Sequence, residues 1–511
     1  MPLHIVARFA ELAEDRGIEV EIGKNKILLL RSGDQVRAYQ AECPHAGAPL
    51  AEGAICNGRL ICPWHKAAFA IENGQLCEPP ALLNLTRYPA QVVGDQVQVD
   101  DQAMPPVKPA ANKDDRCFAL IGAGAAGTAA ASALRDSGFG GRLLLIDREA
   151  EPGYDRTVLS KFVLAGEMTV EETPPLLDAA FYREQRIERI HGEVTRLDVV
   201  NKRLTLRDGR DFNYHAALLA TGGQPRALDL PGAGLPQVLL LRSRQDTQRI
   251  IDAAPAARHA VIIGDSFIGL EAASSLRQRG LTVTVLARHE VPFAAQFGER
   301  IGRAIRTLHE QNGVVFRTQV EATHFEGTDR LQAVALNNGE QLPADLVLIG
   351  IGVNPATEWV EGIKCEDDGS LRVDDTLRAA EGLWVAGDIA TFALHDQPRR
   401  IEHWRLAQQQ ARIAAHNMLG SEERYSDVPF FWTYHFGKNF DYLGHAEQWD
   451  DIVFEGTPEQ YAFIALLCQN GIVAAVVACE YQRVTSMLAD RMKRPLAMGE
   501  ALKLIRIHSE Q

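Results

Sequence analysis

The six residues from Gly122 to Gly127 place a glycine wherever a nucleotide-binding turn needs one. They follow the apolar run 118–121 and precede the small-residue run 128–134, which predicts a strand, a tight turn and a helix. Gly122 would permit the turn, Gly124 the approach of a pyrophosphate, and Gly127 the packing of the helix. Free N–H groups at the start of that helix would hold the phosphates. We therefore expect a dinucleotide-binding α/β domain to begin here.

A second stretch repeats this pattern in altered form. Residues 261–271 again predict a strand, a turn and a helix, with Gly264 and Gly269 at two glycine positions and Ser266 in place of the middle one. The Cβ of a serine would crowd a pyrophosphate slightly, so this motif is a weaker sign than the first. Two such units in a chain of 511 residues indicate about three or four domains.

Charge and cysteine content exclude several classes of protein. A net charge of -14 opposes binding to nucleic acid or to anionic lipid. No apolar run approaches the roughly 18 residues of a membrane helix, so we expect neither a membrane span nor a signal peptide. Eight cysteines over this length are too few for a disulfide framework. We therefore expect a cytoplasmic protein.

The first hundred residues contain short strand-like runs broken by Gly-Asp and Asn-Gly turns, which predicts a small all-β domain. Two Cys–His pairs lie within it, Cys43 with His45 and Cys62 with His65. Such a set indicates a metal site, of which a structural zinc is one form, or else unligated core residues. Each pair encloses a proline on a short loop, unlike the helical His pair of a zinc finger.

The motif Cys-Pro-His, followed by Gly-Ala-Pro-Leu at 47–50 and then by Cys-Pro-Trp-His, resembles the Rieske ferredoxins. The resemblance implies a [2Fe–2S] cluster with Cys43 and Cys62 on one iron and His45 and His65 on the other.

Four positions depart from the high-potential Rieske proteins. Ala48 and Trp64 stand where those proteins place an extra disulfide, and Ala67 and Phe69 stand where they place hydroxyls that bond the cluster sulfurs. Because fewer hydrogen bonds stabilise the reduced cluster less, we expect a potential at the low end of the Rieske range, roughly -150 mV.

The strand predicted after the first fingerprint, at 143–146, ends in Asp147, Arg148 and Glu149. An acidic group about 20 residues past the fingerprint suits a ribose hydroxyl. Either Asp147 or Glu149 could serve, and Arg148 is a candidate contact of the adenine.

Residues 154–161, Tyr-Asp-Arg-Thr-Val-Leu-Ser-Lys, resemble a signature of the flavin-dependent ferredoxin reductases and the apoptosis-inducing-factor family, with Thr157 in place of a proline. Disulfide reductases of the same fold carry a redox cysteine pair at this point, and this chain has none there, so electrons must leave the flavin by another route. The flavin-binding or flavin-facing residues that the resemblance implies are Arg156, Lys161, Thr221, Gly222, Arg226, Gly387, Asp388, Glu402, His403, Trp404 and Trp432.

The end of the second motif, Phe267, Ile268, Gly269 and Glu271, is also similar to that family. There the Phe shields the nicotinamide pocket and the Glu faces the contact between flavin and nicotinamide. The alternative is a core Phe and a solvated Glu. On the resemblance, Lys161 and Glu271 set the environment of the flavin ring.

The next predicted strand ends at Ala287, where NAD-selective enzymes place a carboxylate for the ribose 2′-hydroxyl. Arg288 follows and could pair with a 2′-phosphate, as in the NADP-linked glutathione reductases. We therefore expect NADPH in preference to NADH, with Arg288 as the selector. The stretch 345–355, with Gly352 as a further cofactor contact, returns the chain to the flavin domain.

These observations together predict a multidomain chain. Its fold class combines a small all-β Rieske domain, two Rossmann-like α/β domains for FAD and NAD(P), and an α+β domain at the carboxyl end. The boundaries we expect are 1–104 for the Rieske domain, 105–116 for a linker, 117–234 with 355–427 for the FAD domain, 235–354 for the NAD(P) domain and 428–511 for the last domain.

The predicted activity is an NAD(P)H-dependent reductase of the ferredoxin-reductase type. Electrons would pass from NAD(P)H through FAD to the [2Fe–2S] cluster and on to an external acceptor, such as an oxygenase or a P450. One alternative is direct oxidation of the flavin by oxygen or a quinone, and another is a redox sensor that responds to NAD(P)H. A homodimer is compatible with the sequence.

Overall fold

The computed structural model describes residues 3–107 and 112–509. Its amino-terminal part is all-β, as predicted, and consists of three small antiparallel sheets in the orders β1-β11-β10, β2-β3-β4-β9 and β5-β6-β7-β8. The strands are β1 (Leu3–Arg8), β2 (Ile18–Ile22), β3 (Asn25–Ser32), β4 (Gln35–Gln40), β5 (Ala54–Cys56), β6 (Arg59–Ile61), β7 (Ala68–Ala70), β8 (Leu76–Glu78), β9 (Arg87–Tyr88), β10 (Ala90–Val93) and β11 (Gln96–Asp100).

The predicted linker, 105–116, follows this part of the chain. Its residues 108–111 lie outside the described residues. The domain boundaries given above remain predictions.

The first α/β unit is built on a six-stranded sheet in the order β14-β13-β12-β18-β32-β31, parallel except at its β31 edge. Two of its strands arrive from late in the chain, so the unit is discontinuous in sequence. Up to residue 225 its elements are β12 (Cys117–Ile121), α1 (Ala125–Asp136), β13 (Arg142–Asp147), α2 (Ala179–Glu184), β14 (Ile187–His191), β15 (Val194–Asp198), β16 (Arg203–Leu206), β17 (Asp211–Asn213), β18 (Ala216–Leu219) and β19 (Gly223–Pro225).

The second α/β unit is inserted between these strands. Its parallel sheet has the order β20-β27-β21-β22-β23 and is accompanied by the three-stranded sheet β24-β25-β26. Its elements are β20 (Val238–Leu240), α3 (Arg244–Ala253), β21 (His259–Ile263), α4 (Phe267–Gln278), β22 (Thr282–Ala287), α5 (Ala294–Phe297), α6 (Glu299–Gln311), β23 (Val314–Thr318), β24 (Ala322–Gly327), β25 (Leu331–Leu336), β26 (Gln341–Pro343) and β27 (Leu346–Ile349).

The chain then returns to the first sheet and ends in an antiparallel sheet, β35-β36-β39-β38-β37, with two helices after it. These elements are β28 (Val353–Pro355), β29 (Val360–Glu361), β30 (Leu371–Arg372), β31 (Arg378–Ala380), β32 (Leu383–Val385), β33 (Ala390–Leu394), β34 (Gln397–Arg399), α7 (Trp404–Met418), β35 (Phe430–His435), β36 (Lys438–Gly444), β37 (Asp451–Thr457), β38 (Ala462–Gln469), β39 (Ile472–Cys479), α8 (Gln482–Arg491) and α9 (Met498–Ser509). The predicted fold class is confirmed.

The two glycine turns have the same backbone geometry. Gly122 has φ +105°, and a Cβ there would lie 2.3 Å from the carbonyl oxygen of Ala220. Gly264 has φ +109°, and a Cβ there would lie 2.4 Å from the carbonyl oxygen of Gly350. Only glycine suits both the left-handed conformation and the close approach of the neighbouring strand. Each turn delivers the start of its helix, α1 or α4, to the carboxyl edge of a parallel sheet, where α/β folds bind ligands.

Candidate functional site: a cofactor cavity beside a cluster site

One large cavity brings together most of the predicted residues. Its walls come from the amino-terminal domain, both α/β units and the last domain. The predicted residues that line it are His45, His65, Gly122, Gly124, Asp147, Arg148, Glu149, Arg156, Lys161, Thr221, Gly222, Phe267, Ile268, Glu271, Gly387, Asp388, Glu402, His403, Trp404 and Trp432.

The other predicted residues lie away from this wall. Cys43 and Cys62 are buried within the amino-terminal domain. Gly127 packs α1 onto its turn, since a Cβ there would lie 1.8 Å from the carbonyl oxygen of Gly122. The remaining members of this group are Arg226, Gly264, Ser266, Gly269, Arg288 and Gly352.

Arg226 does not line the cavity in this structure, and its contact with FAD stays a prediction. It is exposed, and its backbone N–H donates to Gly352 O at 2.9 Å beside the pairing of β19 with β28. Arg242 lines the wall instead and pairs with Asp388 at 3.0 Å. The sequence analysis missed Arg242. Its only local signal is its place directly after the apolar run 239–241.

The two Cys–His loops fold as equivalent turns. The N–H of Cys43 donates to Ala48 O at 2.8 Å, and the N–H of Cys62 donates to Ala67 O at 2.8 Å. The two loops place His45 Nδ1 and His65 Nδ1 3.2 Å apart. A hydrogen bond between the thiols raises the pKa of Cys43 well above its ordinary value. The two thiols therefore lie together, and so do the two imidazole rings.

This donor set fits a two-iron cluster better than a zinc ion. Among residues 3–107 and 112–509, no three His, Cys, Asp or Glu side chains surround one point as a single metal ion requires. A Rieske cluster asks only two protein ligands of each iron, a sulfur pair and a nitrogen pair, and this structure offers both pairs.

The cluster site and the cavity share a wall. His45 and His65 both face the cavity, and the imidazole of His65 lies 5.0 Å from the indole of Trp432. The same indole also contacts Lys161, whose Nζ lies 4.5 Å from the ring centroid. His45 Nε2 is 3.8 Å from Asp155 Oδ2. The ligand histidines therefore lie beside the flavin signature at 154–161.

Lys161 and Glu271 form a buried ion pair on the cavity wall. Lys161 Nζ lies 3.1 Å from Glu271 Oε2, and both side chains are 5% exposed. Ser160 Oγ donates to the same oxygen at 2.5 Å, while Lys161 Nζ also donates to Thr157 O at 2.8 Å. Lys161 belongs to a π-helical segment, Leu159–Val163, a form that is frequent at functional sites.

The two acids at the end of β13, Asp147 and Glu149, have different hydrogen-bond partners. Asp147 accepts hydrogen bonds from the backbone N–H groups of Ala123 and Glu149, so it braces the glycine turn. Glu149 accepts from Arg156 at 2.5 Å and from the Tyr154 hydroxyl at 2.8 Å. Burial opposes the ionised form of Glu149, but the Arg156 guanidinium outweighs it and lowers the pKa of that carboxyl. Both acids remain candidates for a ribose hydroxyl.

The cavity wall holds polar atoms without a protein partner. His403 Nδ1 and Trp404 Nε1 are buried there and make no hydrogen bond with the described protein atoms. A Cβ on Gly124 would meet no atom within 4 Å, so the turn is open toward the cavity. Buried polar atoms usually have partners, and both residues belong to the lining of the cavity that a flavin nucleotide would fill. The residues present therefore fit FAD.

In the second glycine turn, Ser266 has a structural role. Ser266 caps α4, because its Oγ accepts the N–H of Gly269 at 3.1 Å and donates to Gly350 O at 2.7 Å. Beyond it, Ala287 is fully buried, whereas the side chain of Arg288 is 79% exposed and lies 3.5 Å from Glu321.

Buried charges join the amino-terminal domain to the rest of the molecule. Lys66, fully buried beside His65, donates to Asp441 at 2.9 Å. Glu78 accepts from Arg59 at 2.7 Å, from Arg405 of α7 at 2.7 Å and from Lys493 at 2.5 Å. These contacts, which the sequence analysis missed, bring the ligand loops against the cavity.

The comparisons with known proteins agree with this arrangement. Residues 3–89 match the Rieske [2Fe-2S] domain, and residues 118–411 match the pyridine nucleotide-disulphide oxidoreductase family. The chain is 33% identical over 531 aligned residues to apoptosis-inducing factor 3 of Mus musculus, covering 99% of this chain and 86% of the mouse protein.

Two further relatives cover the part without the Rieske domain. The ferredoxin–NAD(+) reductase subunit of the benzene 1,2-dioxygenase system of Pseudomonas putida is 35% identical, over 76% of this chain and 94% of its own. The solved ferredoxin reductase for the CYP199A2 system from Rhodopseudomonas palustris superposes with a TM-score of 0.70 at 29% identity, over 75% of this chain and 96% of its own.

The predicted family and enzyme class are confirmed, and this family implies FAD and a Rieske cluster as cofactors with NAD(P)H as substrate. No helix in residues 3–107 and 112–509 is long and apolar enough to cross a bilayer. The chain belongs to the pyridine nucleotide-disulphide oxidoreductases, as an NAD(P)H-dependent flavin oxidoreductase of the ferredoxin-reductase type with a Rieske domain at its amino end.

Proposed function

We propose that the chain moves electrons from NAD(P)H by way of FAD to its own [2Fe–2S] cluster, and from there to an external acceptor such as an oxygenase. The observation that carries this proposal is the shared wall: His45 and His65 line the same cavity as the flavin motifs. When bound, FAD accepts a hydride and gives up single electrons, which is the form a [2Fe–2S] cluster accepts.

The residues divide the work by position. Cys43, His45, Cys62 and His65 ligate the cluster. The first glycine turn, Asp147, Arg148, Glu149 and Arg156 hold the nucleotide part of FAD, and Thr221, Gly222, Asp388 and Arg242 hold its middle. The second turn and α4 bring NAD(P)H to Phe267 and Glu271. Support comes from the placement of these side chains around one cavity.

The ion pair of Lys161 and Glu271 sets the charge where the two rings meet. Trp432 contacts both Lys161 and His65, and we propose that its indole helps to exclude water where the cavity meets the cluster site. For the nucleotide we keep NADPH, with Arg288 as the selector.

Anaerobic titration of the purified protein tests the order of transfer. We expect NADPH to bleach the flavin and to raise the electron paramagnetic signal of the reduced cluster together. Protein that lacks flavin, iron or labile sulfide would contradict the proposal.

Two cysteine substitutions distinguish electron transfer through the cluster from direct oxidation of the flavin. Cys62→Ser should abolish the reduction of cytochrome c by NADPH, while NADPH still bleaches the flavin. Cys77→Ser, at an exposed cysteine outside the ligand set, should leave both steps unchanged. Undiminished reduction of cytochrome c by Cys62→Ser would favour direct oxidation by oxygen, quinones or dyes.

A further inference from the structure

A buried hydroxyl links the carboxylate of Glu271 to a histidine behind the cavity wall. Glu271 Oε1 accepts from Thr433 Oγ1 at 2.7 Å, and Thr433 Oγ1 lies 3.0 Å from His435 Nε2. Thr433 and His435 are fully buried and do not line the cavity, whereas Glu271 is 4% exposed and does. The chain of contacts thus runs from β35 into the site.

Counting hydrogens fixes the direction of these contacts. A carboxylate in an ion pair only accepts, and the Thr433 hydroxyl has a single hydrogen. That hydrogen is used toward Glu271, so the contact with His435 requires His435 to donate. The neutral ring must therefore carry its proton on Nε2, and its Nδ1 is bare. Nδ1 has no hydrogen-bond partner of ordinary geometry among the described atoms, so the tautomer is inferred from the contacts of Nε2 alone.

We propose that Thr433 and His435 are positioning residues: His435, as the Nε2–H tautomer, turns the Thr433 hydroxyl toward Glu271 and so holds the Glu271–Lys161 pair in the cavity. Glu271 Oε2 is already engaged by Lys161 and Ser160. Thr433 supplies the contact to the other oxygen, and with both oxygens engaged the carboxylate plane cannot rotate. The inference rests on the function proposed above for the cavity.

The surroundings of His435 keep it neutral. Burial, and after it the Lys161 ammonium, lower its pKa to about 3 against a backbone contact with Leu270 that raises it. His309 of α6 lies edge-on at 5.1 Å between ring centroids, and its pKa is lowered well below the ordinary value by burial and by His435. The rings of Phe293 and Phe440 complete the enclosure.

The contact with Leu270 defines the competing arrangement. That contact raises the pKa of His435, as donation from the ring to a backbone carbonyl would. If Nδ1 carried the proton, Nε2 would accept from Thr433, and the contact between Thr433 and Glu271 would lose its hydrogen. The two tautomers therefore differ in whether the Thr433 hydroxyl donates a hydrogen bond to Glu271.

Long-range nitrogen–proton correlation spectra of the histidine-labelled holoenzyme distinguish the tautomers without measuring activity. The His435 resonance is identified by its disappearance in His435→Gln. We expect an Nε2–H pattern that does not titrate between pH 6 and 8, the range around the ordinary histidine pKa. A proton on Nδ1, or a ring that titrates in this range, would overturn the proposal.

Matched variants test the role in the reaction. Thr433→Val keeps the shape of the side chain and removes the hydroxyl, and Thr433→Ser keeps the hydroxyl. We expect anaerobic flavin reduction by NADPH to slow about tenfold in Thr433→Val, the loss of roughly one hydrogen bond, with FAD content and the KM for NADPH changed less than about twofold. The rate of flavin reduction in Thr433→Ser should stay within about threefold of the wild-type rate. His435→Gln keeps an N–H donor, so its rate should be higher than that of His435→Phe.

Equal rates for Thr433→Val and wild type would overturn the inference. So would equal losses in Thr433→Val and Thr433→Ser accompanied by loss of FAD, which indicate packing alone. Failure of the proposed function has a different signature, namely wild-type protein without flavin or iron, or a Cys62→Ser variant that still reduces cytochrome c.

Discussion

At the scale of single residues, the cluster site is defined as much by what its neighbours lack as by its ligands. Ala67 and Phe69 are fully buried in or beside the core that holds Cys43 and Cys62, and neither has a hydroxyl to offer a sulfur. Such hydrogen bonds stabilise the reduced cluster, because reduction adds negative charge to the sulfurs. Their absence supports the low potential expected from the sequence.

Ala67→Ser should raise the potential of the cluster by about 40 mV, the one-electron equivalent of a hydrogen bond of about 1 kcal/mol. Ala68→Ser is the matched control, because Ala68 is equally buried but packs outside the core of the two cysteines. Redox titration followed by electron paramagnetic resonance measures both. A wild-type potential above zero, or equal shifts in the two variants, would refute this explanation.

The choice of nucleotide is also a matter of one side chain. Arg288 is exposed and only loosely paired with Glu321, so its guanidinium is available to a 2′-phosphate. We expect Arg288→Ala to raise the KM for NADPH about tenfold and to leave the KM for NADH unchanged. Arg303→Ala, at an exposed ion pair on α6, is the control. An unchanged preference would show that Arg288 does not select the nucleotide.

Residues inside a local motif could be found from the sequence, and residues that reach the site through the fold could not. The glycines, Asp147, Lys161 and Glu271 stand at fixed spacings within a strand, a turn and a helix, and they line or brace the cavity. Arg242, Thr433 and His435 sit in unremarkable stretches and acquire their contacts from elements far away in the chain. Arg226, predicted from a local motif, is exposed and lies outside the cavity lining, so its contact with FAD stays a prediction.

At the scale of elements, the strand–turn–helix unit requires glycine at two positions for two different reasons. Gly127 must be small because the backbone of Gly122 lies against it, whereas Gly124 faces open space in the protein. The first demand belongs to folding and the second to the ligand.

Gly127→Ala and Gly124→Ala should separate these demands. In Gly127→Ala the added Cβ has to displace backbone, and we expect a loss of about 1–3 kcal/mol in the free energy of unfolding, despite a helix propensity gain of about 1 kcal/mol. Gly124→Ala should leave the unfolding of the flavin-free protein unchanged and weaken FAD binding. Denaturant unfolding and FAD titration measure the two effects. Equal destabilisation of the flavin-free protein by both variants would contradict this division.

The same contrast holds for the elements themselves. Strand β13 and the helices after the glycine turns follow from local periodicity, and β13, predicted at 143–146, is observed at Arg142–Asp147. The order of strands in the first sheet was not accessible, because β32 joins it only after a long insertion. Long-range pairing depends on contacts that no short window of sequence contains.

At the scale of the whole molecule, the attachment of the Rieske domain is ionic and buried. Glu78 is held by three cations from three parts of the chain, Arg59, Arg405 and Lys493. Removing one partner of a buried network leaves the others uncompensated, which costs far more than losing an exposed pair.

Glu78→Gln should therefore weaken the attachment by about 3–5 kcal/mol, seen as loss of the cluster absorbance at lower denaturant concentration. Glu193→Gln removes an exposed pair with Arg207 and should change the transition by less than about 1 kcal/mol. Coincident transitions in Glu78→Gln and wild type would show that the network does not hold the domain.

Acid should act through the same carboxylate. Burial raises the pKa of Glu78, but the Arg405 and Lys493 charges outweigh it and lower that pKa to about 2. A depressed pKa stabilises the fold above the unfolded value of about 4.3 and loses that contribution as the pH falls toward 2. Asp427, whose pKa burial raises, opposes this effect. We expect wild type to lose attachment between about pH 4 and 2, and Glu78→Gln to lack this part of the pH dependence.

The inward orientation of His45 and His65 has a consequence for whatever oxidant the protein serves. A ferredoxin on a separate chain can present one face of its metal centre first to its reductase and then, after diffusing away, to its client. In this molecule that face is occupied by Trp432 and Asp155, and the surface of the second ligand loop is left to Trp64, whose indole is 36% exposed and 6.3 Å from the His65 ring. If the cluster passes electrons to another protein, as proposed, the transfer would take place from the outer side of these loops while the Rieske domain stays in place.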